Sequence, residues 1–269
     1  MNKLPLLFLT LFLSFNASSA YAEHIKLAGS GQMIPLIMEL GKAYMKKYPQ
    51  DIVEVNQKAL GQVGGVMAVN NGAIDIAMSA RSLDKNEKVL QVQAYEFAVV
   101  PGLFAVNDNV PVKAVTGRQI CDIYSGKIKN WKEVGGHDAP IVVLTRPESD
   151  STKIAVRQGI ACFEELKEPV DVVVLPKAKD MFNTLTATPN AIGMIDTVAL
   201  SDAAGKAKAL KLDGKDVSPS SQWPILHHYH LVLGKNRGEA VKRFLRFIKT
   251  PEAQAVIKKE KATPLNFTL

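Results

Sequence analysis

The sequence predicts an α/β protein built on predominantly parallel sheets, and three observations carry that prediction. Segments of strand and helix character alternate along almost the whole chain. Several strand-to-helix handovers carry glycine, serine or arginine, and in such sheets ligands bind at the carboxyl ends of the strands. The length, 269 residues, suits one large domain or two of moderate size.

HIKLAGSG reads as a strand ending in glycines. A helix from about Met33 to Tyr48 follows, with Pro35 in its first turn and Leu36, Leu40, Tyr44 and Tyr48 on one face. DIVEVNQ alternates with period two, as a half-buried strand does. After Gly61, Gly64 and Gly65 a second helix is expected over Val66 to Asn71. AIDIAMSA is again a strand, and Asp84 with Glu87 forms a capping-box pattern for the next helix. EFAVVPGLFAVN is a long apolar strand, TGRQICDIYSGKI a short helix closed by Gly126, and PIVVLTR a strand that delivers Arg146. A helix from about Ser151 to Leu166, the strand VDVVVL, a helix near Ala178 to Thr186, the strand AIGMID and a small LKLDGKDV hairpin come next. The tail GEAVKRFLRFIKTPEAQAVIKKE is helical with a break at Pro251.

The first 22 residues read as an export signal. Lys3 makes a positive start, Leu4 to Phe15 an apolar run, and Ala20-Tyr21-Ala22 a small-x-small cleavage pattern, so a mature chain is expected to begin at Glu23 in the periplasm. The run is too short for a bilayer anchor, and no later stretch approaches 18 uninterrupted apolar residues, so no membrane insertion is expected after cleavage. Removing the segment takes away one positive charge, that of Lys3, from a net +7. That balance favours anionic ligands in general. It does not single out nucleic acid, because basic residues are spread along the chain among acids. Cys121 and Cys162 are open to two readings in an oxidising compartment: a disulfide contributing on the order of 3 to 4 kcal/mol, or two buried thiols acting as small hydrophobes.

Four handovers can carry chemistry. Gly29-Ser30-Gly31-Gln32-Met33 can present amides and the Ser30 hydroxyl to an oxyanion, or be a tight turn that caps its helix. Gly61-Gln62-Val63-Gly64-Gly65 can add a second donor wall, but it lacks the spacing of a nucleotide-binding P-loop. Ser79-Ala80-Arg81-Ser82 places an arginine at a strand tip, functional only if the other handovers converge on it. Arg146 to Thr152 is the best candidate, since a guanidinium, two hydroxyls and a helix N-terminus suit a tetrahedral oxyanion. Asp150 complicates it, being also a good N-cap for its own helix. His228 and His230 share a strand face within His227-His228-Tyr229-His230, but no acidic or cysteine partner stands nearby in sequence, and a structural role fits better than a metal. No GxSxG or HExxH motif pairs a nucleophile or a metal with a base, so no enzyme and no cofactor are expected.

The segment from Thr116 to Thr152, with the run GKIKNWKEVGG inside it, resembles the signature region of the phosphate-binding proteins of bacterial ABC importers. AGSGQMIPLI, LGQVGGVMAVNNGAIDIAMSARSL and the tail FIKTPEAQAVIKKEKATPL extend the similarity over nearly the whole mature chain. The resemblance implies a two-lobed periplasmic binding protein of type II, with a mostly parallel sheet in each lobe. It implies signal peptide 1–22, lobe 1 over 23–98 and 229–269, lobe 2 over 99–228, and hinges near Phe97 to Leu103 and Ile225 to Leu231.

By the same resemblance Arg146 matches the family arginine, Ser79 and Arg81 a serine-arginine pair, and Thr152 the threonine of a Gly-Ser-Gly-Thr loop. Together with Ser30, Gly31, Gln32, Met33, Gln62, Asp150 and Ser151 they form the expected ligand set. The sequence departs from the family where Ser149-Asp150-Ser151 replaces Gly-Ser-Gly, at Gln32, Met33 and Gln62 where hydroxyls are usual, and at Ala80 where longer members have a proton-accepting aspartate. A carboxylate about 4 Å from an anion costs roughly 4 kcal/mol at an effective dielectric near 20. Tight binding therefore requires Asp150 to be turned away, protonated, or acting as the acceptor that Ala80 lacks. The implied function is capture of phosphate or a related oxyanion by a monomer that serves an ABC permease. The alternative is a periplasmic sensor or interaction module for a non-phosphate ligand.

Overall fold

The computed structural model describes residues 23–220, 222–235 and 237–269; the expected signal peptide lies outside them. Strand β1 (His24–Gly29) passes through a short 3-10 turn into α1 (Ile34–Lys47), followed by β2 (Ile52–Val55), α2 (Gly61–Asn70), β3 (Ile76–Ser79), α3 (Lys85–Lys88) and the long β4 (Gln93–Asn107). Next come β5 (Ala114–Val115), α4 (Gly117–Tyr124), β6 (Val142–Thr145), α5 (Ser151–Gly159), β7 (Val173–Val174), α6 (Ala178–Ala187), β8 (Ala191–Asp196), α7 (Thr197–Ser201), β9 (Ala207–Ala209) and β10 (Lys211–Leu212). β11 (Leu226–Leu233), α8 (Glu239–Ile248), α9 (Pro251–Lys259) and β12 (Thr263–Pro264) close the chain.

Local signals account for most of these boundaries. Pro35 starts α1, which buries Leu36, Ile37, Leu40 and Tyr44 along one face. Capping boxes open α3 (Asp84 with Glu87) and α4 (Thr116 with Gln119). Pro251 separates α8 from α9, whose cap is the Thr250 hydroxyl.

The main sheet runs in the order β2-β1-β3-β11-β4-β8-β6-β7. Its flanks are parallel, β1 with β2 and β3, and β6 with β7 and β8. Its middle is antiparallel, because β11 returns against β3 and β4, and β4 runs against β8. The sheet is therefore mixed, where predominantly parallel sheets were expected. β4 is the seam: it pairs with β11 up to Pro101 and with β8 from Gly102 onward.

A separate hydrophobic core lies on each side of that seam. One gathers Ile25, Leu40, Tyr44, Phe97, Tyr229 and Phe244; the other gathers Phe104, Tyr124, Trp131, Leu144, Phe163 and Ile192. Burying one such side chain fully contributes roughly 1.5 to 3 kcal/mol, so each core can hold its own lobe together. Besides β4 itself, α7 reaches across the division. Val198 packs in the first core, and the Thr197 hydroxyl donates to the Lys261 carbonyl at 2.9 Å.

Four expectations need correction. α2 begins at Gly61, not Val66, so the glycines lie inside a helix. A Cβ on Gly65 would lie 2.7 Å from the Gly29 Cα, so that glycine allows α2 to approach β1 closely. α5 stops at Gly159, seven residues short of Leu166, where a Cβ would lie 1.9 Å from the Pro224 carbonyl oxygen; the crowding leaves room only for glycine. Instead of continuing the helix, the chain makes a 3-10 turn in which Cys162 bonds to Cys121 of α4, Cα to Cα 6.2 Å. VDVVVL keeps only a two-residue exposed edge strand, and β10 pairs in parallel with β5, leaving a single antiparallel bridge, Leu212 to Lys215, of the expected hairpin.

Candidate functional site

A cavity of about 970 Å³ lies between the lobes. Gly31 and Gln32 reach it from the end of β1, and Arg146 and Thr152 from the β6-to-α5 handover. Two of the four handovers singled out from the sequence thus converge on one space.

Arg146, 5 % exposed, is held at both ends of its guanidinium. One nitrogen donates to the Leu175 carbonyl at 2.8 Å and the other to Asp150 Oδ2 at 2.5 Å. Asp150 Oδ1 meanwhile accepts from the backbone amides of Thr152 (2.9 Å) and Lys153 (3.3 Å), so the same carboxylate caps α5. Both readings of this residue hold together: it is the helix cap and the arginine's counter-ion. It stands beside Arg146 but is not itself among the residues that line the cavity. A buried guanidinium left without that carboxylate would be strongly destabilising.

The hydroxyls behind it are also engaged. Ser151 Oγ and Thr152 Oγ1 each donate to Gln32 Oε1 at 3.1 Å, a contact from one lobe to the other. On the far side of Gln32, Tyr229 donates to Asp196 Oδ2 at 2.9 Å. Burial pushes the Asp196 carboxyl up to about 6, with the nearby charge of Asp150 adding to the effect. The amide oxygen of Gln32 thus occupies the Ser151 and Thr152 hydroxyls, and the carboxylate of Asp150 occupies one end of the Arg146 guanidinium and the first amides of α5.

The remaining expected residues separate from this group. Arg81 donates to Glu87 (2.9 Å) and Asp84 (3.2 Å), the two acids of the α3 capping box. Gln62 Nε2 lies 3.3 Å from the same Glu87, and the Ser79 hydroxyl donates to the Arg81 carbonyl at 2.7 Å. These three form a cluster within the first lobe and are not among the residues lining the cavity. The expected meeting of Arg81 with Arg146 is corrected accordingly: the cap acids claim the guanidinium. Met33 is fully buried in the first core, and Ser30 is buried behind Gly31, its amide donating to the Met78 carbonyl at 2.9 Å.

Sequence reasoning missed Asp196 and Tyr229. Asp196 ends the strand AIGMID just before a helix, the same handover rule that picked out Arg146. Nothing in the pattern around Tyr229 marks it. The histidines also need correction, because an acid does stand beside them across the sheet: His228 Nδ1 lies 2.6 Å from Glu96 and His230 Nε2 3.8 Å from it. His227 is buried with neither ring nitrogen hydrogen-bonded, and burial holds its pKa down to about 4. Among the described residues no three His, Cys, Asp or Glu side chains are placed to hold a metal ion.

Two α/β lobes sharing β4 and β11, with a solute-sized cavity between them, are the architecture of a type II periplasmic binding protein. Residues 16–252 match the family model described as the PBP superfamily domain, and the chain belongs to that family. It is 29 % identical over 258 residues to the phosphate-binding protein PstS of Bacillus subtilis (strain 168), covering 90 % of this chain and 82 % of that one. To PstS of Borreliella burgdorferi it is 23 % identical over 247 residues, 88 % of each chain. Among solved structures it resembles a substrate-binding protein with bound phosphate from Clostridium perfringens, with TM-score 0.82 and 28 % identity, covering 91 % of this chain and all of that one. An ABC-type phosphate transport receptor from Vibrio cholerae shares the fold at TM-score 0.66 and 23 % identity, over 90 % of this chain and all of that one. No helix among the described residues is long and apolar enough to cross a membrane.

Proposed function

We propose that this protein is an exported solute-binding protein that captures phosphate or a related protonated oxyanion between its lobes and delivers it to an ABC importer. The observation that carries the reading is the convergence of Arg146 and Thr152 on a cavity whose opposite wall is Gly31 and Gln32, with the Ser151 and Thr152 hydroxyls both donating to Gln32. The names of the PstS relatives and the phosphate in the Clostridium structure support the ligand class.

In this reading the lobes are 23–98 with 229–269, and 99–228, hinged where β4 and β11 change partners. The mature chain starts after Ala22, works as a monomer in the periplasm, and captures its ligand without turning it over. An arriving oxyanion takes the Ser151 and Thr152 hydroxyls from Gln32 and lies beside the Arg146–Asp150 pair. Asp150 accepts the proton that the ligand brings, which favours phosphate and arsenate over the fully ionised sulfate. Closure around the solute presents one joined surface to the permease. Titration calorimetry with phosphate, arsenate and sulfate tests this: saturable heat with the first two and little with sulfate is expected.

A second reading has one specific observation behind it. Gln32 and Asp150 already satisfy the donor set from within. A sensor or interaction module for a non-phosphate ligand would have that property, and it would give no heat with any of the three anions.

A further inference from the structure

The cavity is far larger than the ligand its donors suggest. Gln32 already joins the lobes through Ser151 and Thr152, and beside that contact a half-open cavity of about 970 Å³ remains. At about 30 Å³ per water, that space holds roughly thirty waters. Orthophosphate, with five heavy atoms, would replace only a few of them, and the rest would keep the local dielectric high and the anion weakly held.

The composition of the walls points to what fills the remainder. Ile34 and Met38 on α1 and Phe182 on α6 line the cavity as half-buried apolar side chains, so that Met38 of one lobe and Phe182 of the other form a pair on its two sides. Its charged lining is mixed: Lys58, Lys177, Lys179 and Lys259 stand among Glu39, Asp180, Asp202 and Glu260. Pockets of roughly 300 to 1,000 Å³ with apolar walls and a few convergent polar groups hold organic molecules rather than bare inorganic ions.

Resting on the oxyanion reading above, we infer that the solute is a phosphoryl group carrying an organic substituent, a phosphomonoester or a phosphonate. Its head group meets Thr152 and Arg146, and its body lies between Met38 and Phe182, displacing the water that orthophosphate would leave behind. Its single ionisable hydroxyl keeps its proton and donates it to Asp150, as the oxyanion reading requires.

The test is competitive calorimetry on the mature chain with orthophosphate, phenyl phosphate, glycerol 3-phosphate and phenylphosphonate. At least one organic compound is expected to bind tenfold or more tighter than orthophosphate. Comparing the esters with the phosphonate separates the two sources of the head group. Met38→Ala and Phe182→Ala are expected to weaken the organic ligand at least fivefold and leave orthophosphate unchanged. Orthophosphate binding as tightly as every organic compound overturns this inference while leaving the oxyanion reading intact; so do alanine variants that bind the organic ligand like the parent. Absence of binding by all four compounds overturns both.

Discussion

Asp150 joins Arg146 to the start of α5: one carboxylate oxygen lies 2.5 Å from the guanidinium, while the other accepts the amides of Thr152 and Lys153. The acid that stands where the resembling family has a neutral loop residue is thereby tied both to the arginine and to its own helix. Asp150→Asn keeps a good helix cap and removes the charge. As a charge-assisted acceptor is worth about 1.5 to 3 kcal/mol, the variant is expected to bind phosphate about 10- to 100-fold more weakly, and to lose much of its preference over sulfate. Calorimetric titration of both anions against parent and variant checks this.

Gln32 ties the lobes through two hydrogen bonds worth about 1 kcal/mol each. Gln32→Ala is expected to release the ligand-free lobes, raising the radius of gyration in small-angle scattering, and phosphate is expected to restore the compact form. A variant as compact as the parent without ligand would show that the contact does not hold the lobes.

Two buried groups pull the pH dependence of stability in opposite directions. Asp196, raised from 3.8 to about 6, takes up a proton on folding between those values, so its contribution falls as pH rises through that window. His227, lowered from 6.5 to about 4, releases one, so its contribution falls as pH drops through its own window. Each amounts to roughly 3 kcal/mol, and they largely offset. Relative to the parent, Asp196→Asn is expected to gain more stability at pH 7 than at pH 4.5, and His227→Leu more at pH 4.5 than at pH 7, as measured by urea unfolding.

The bond between Cys121 and Cys162 closes a sequence separation of 41 and pins the end of α5 to α4. Cys121→Ser with Cys162→Ser is expected to cost about 3 to 4 kcal/mol in denaturant unfolding. Because α5 carries Ser151 and Thr152 at its other end, ligand affinity is expected to fall less than stability does.

Periodicity and caps made the element order legible, from Pro35 through the box at Asp84 to the break at Pro251. The antiparallel middle of the sheet was not, because nothing local to EFAVVPGLFAVN or the histidine strand says which neighbour each will pair with. Arg146, Thr152 and Gln32 were findable as handover residues. Arg81 misled, since its partner Glu87 was read as a cap acid and a cap acid can also hold a guanidinium. Gly61 to Gly65 looked like a ligand loop, while Gly65 serves the packing of α2 on β1. Tyr229 and Asp196 meet only through the tertiary fold.

The most direct test of the account is calorimetric titration of the mature chain with phosphate, beside the Thr152→Val variant. A saturable one-to-one heat that weakens at least tenfold in the variant is the predicted result. No heat with phosphate, arsenate or sulfate, or equal affinity in parent and variant, would contradict it.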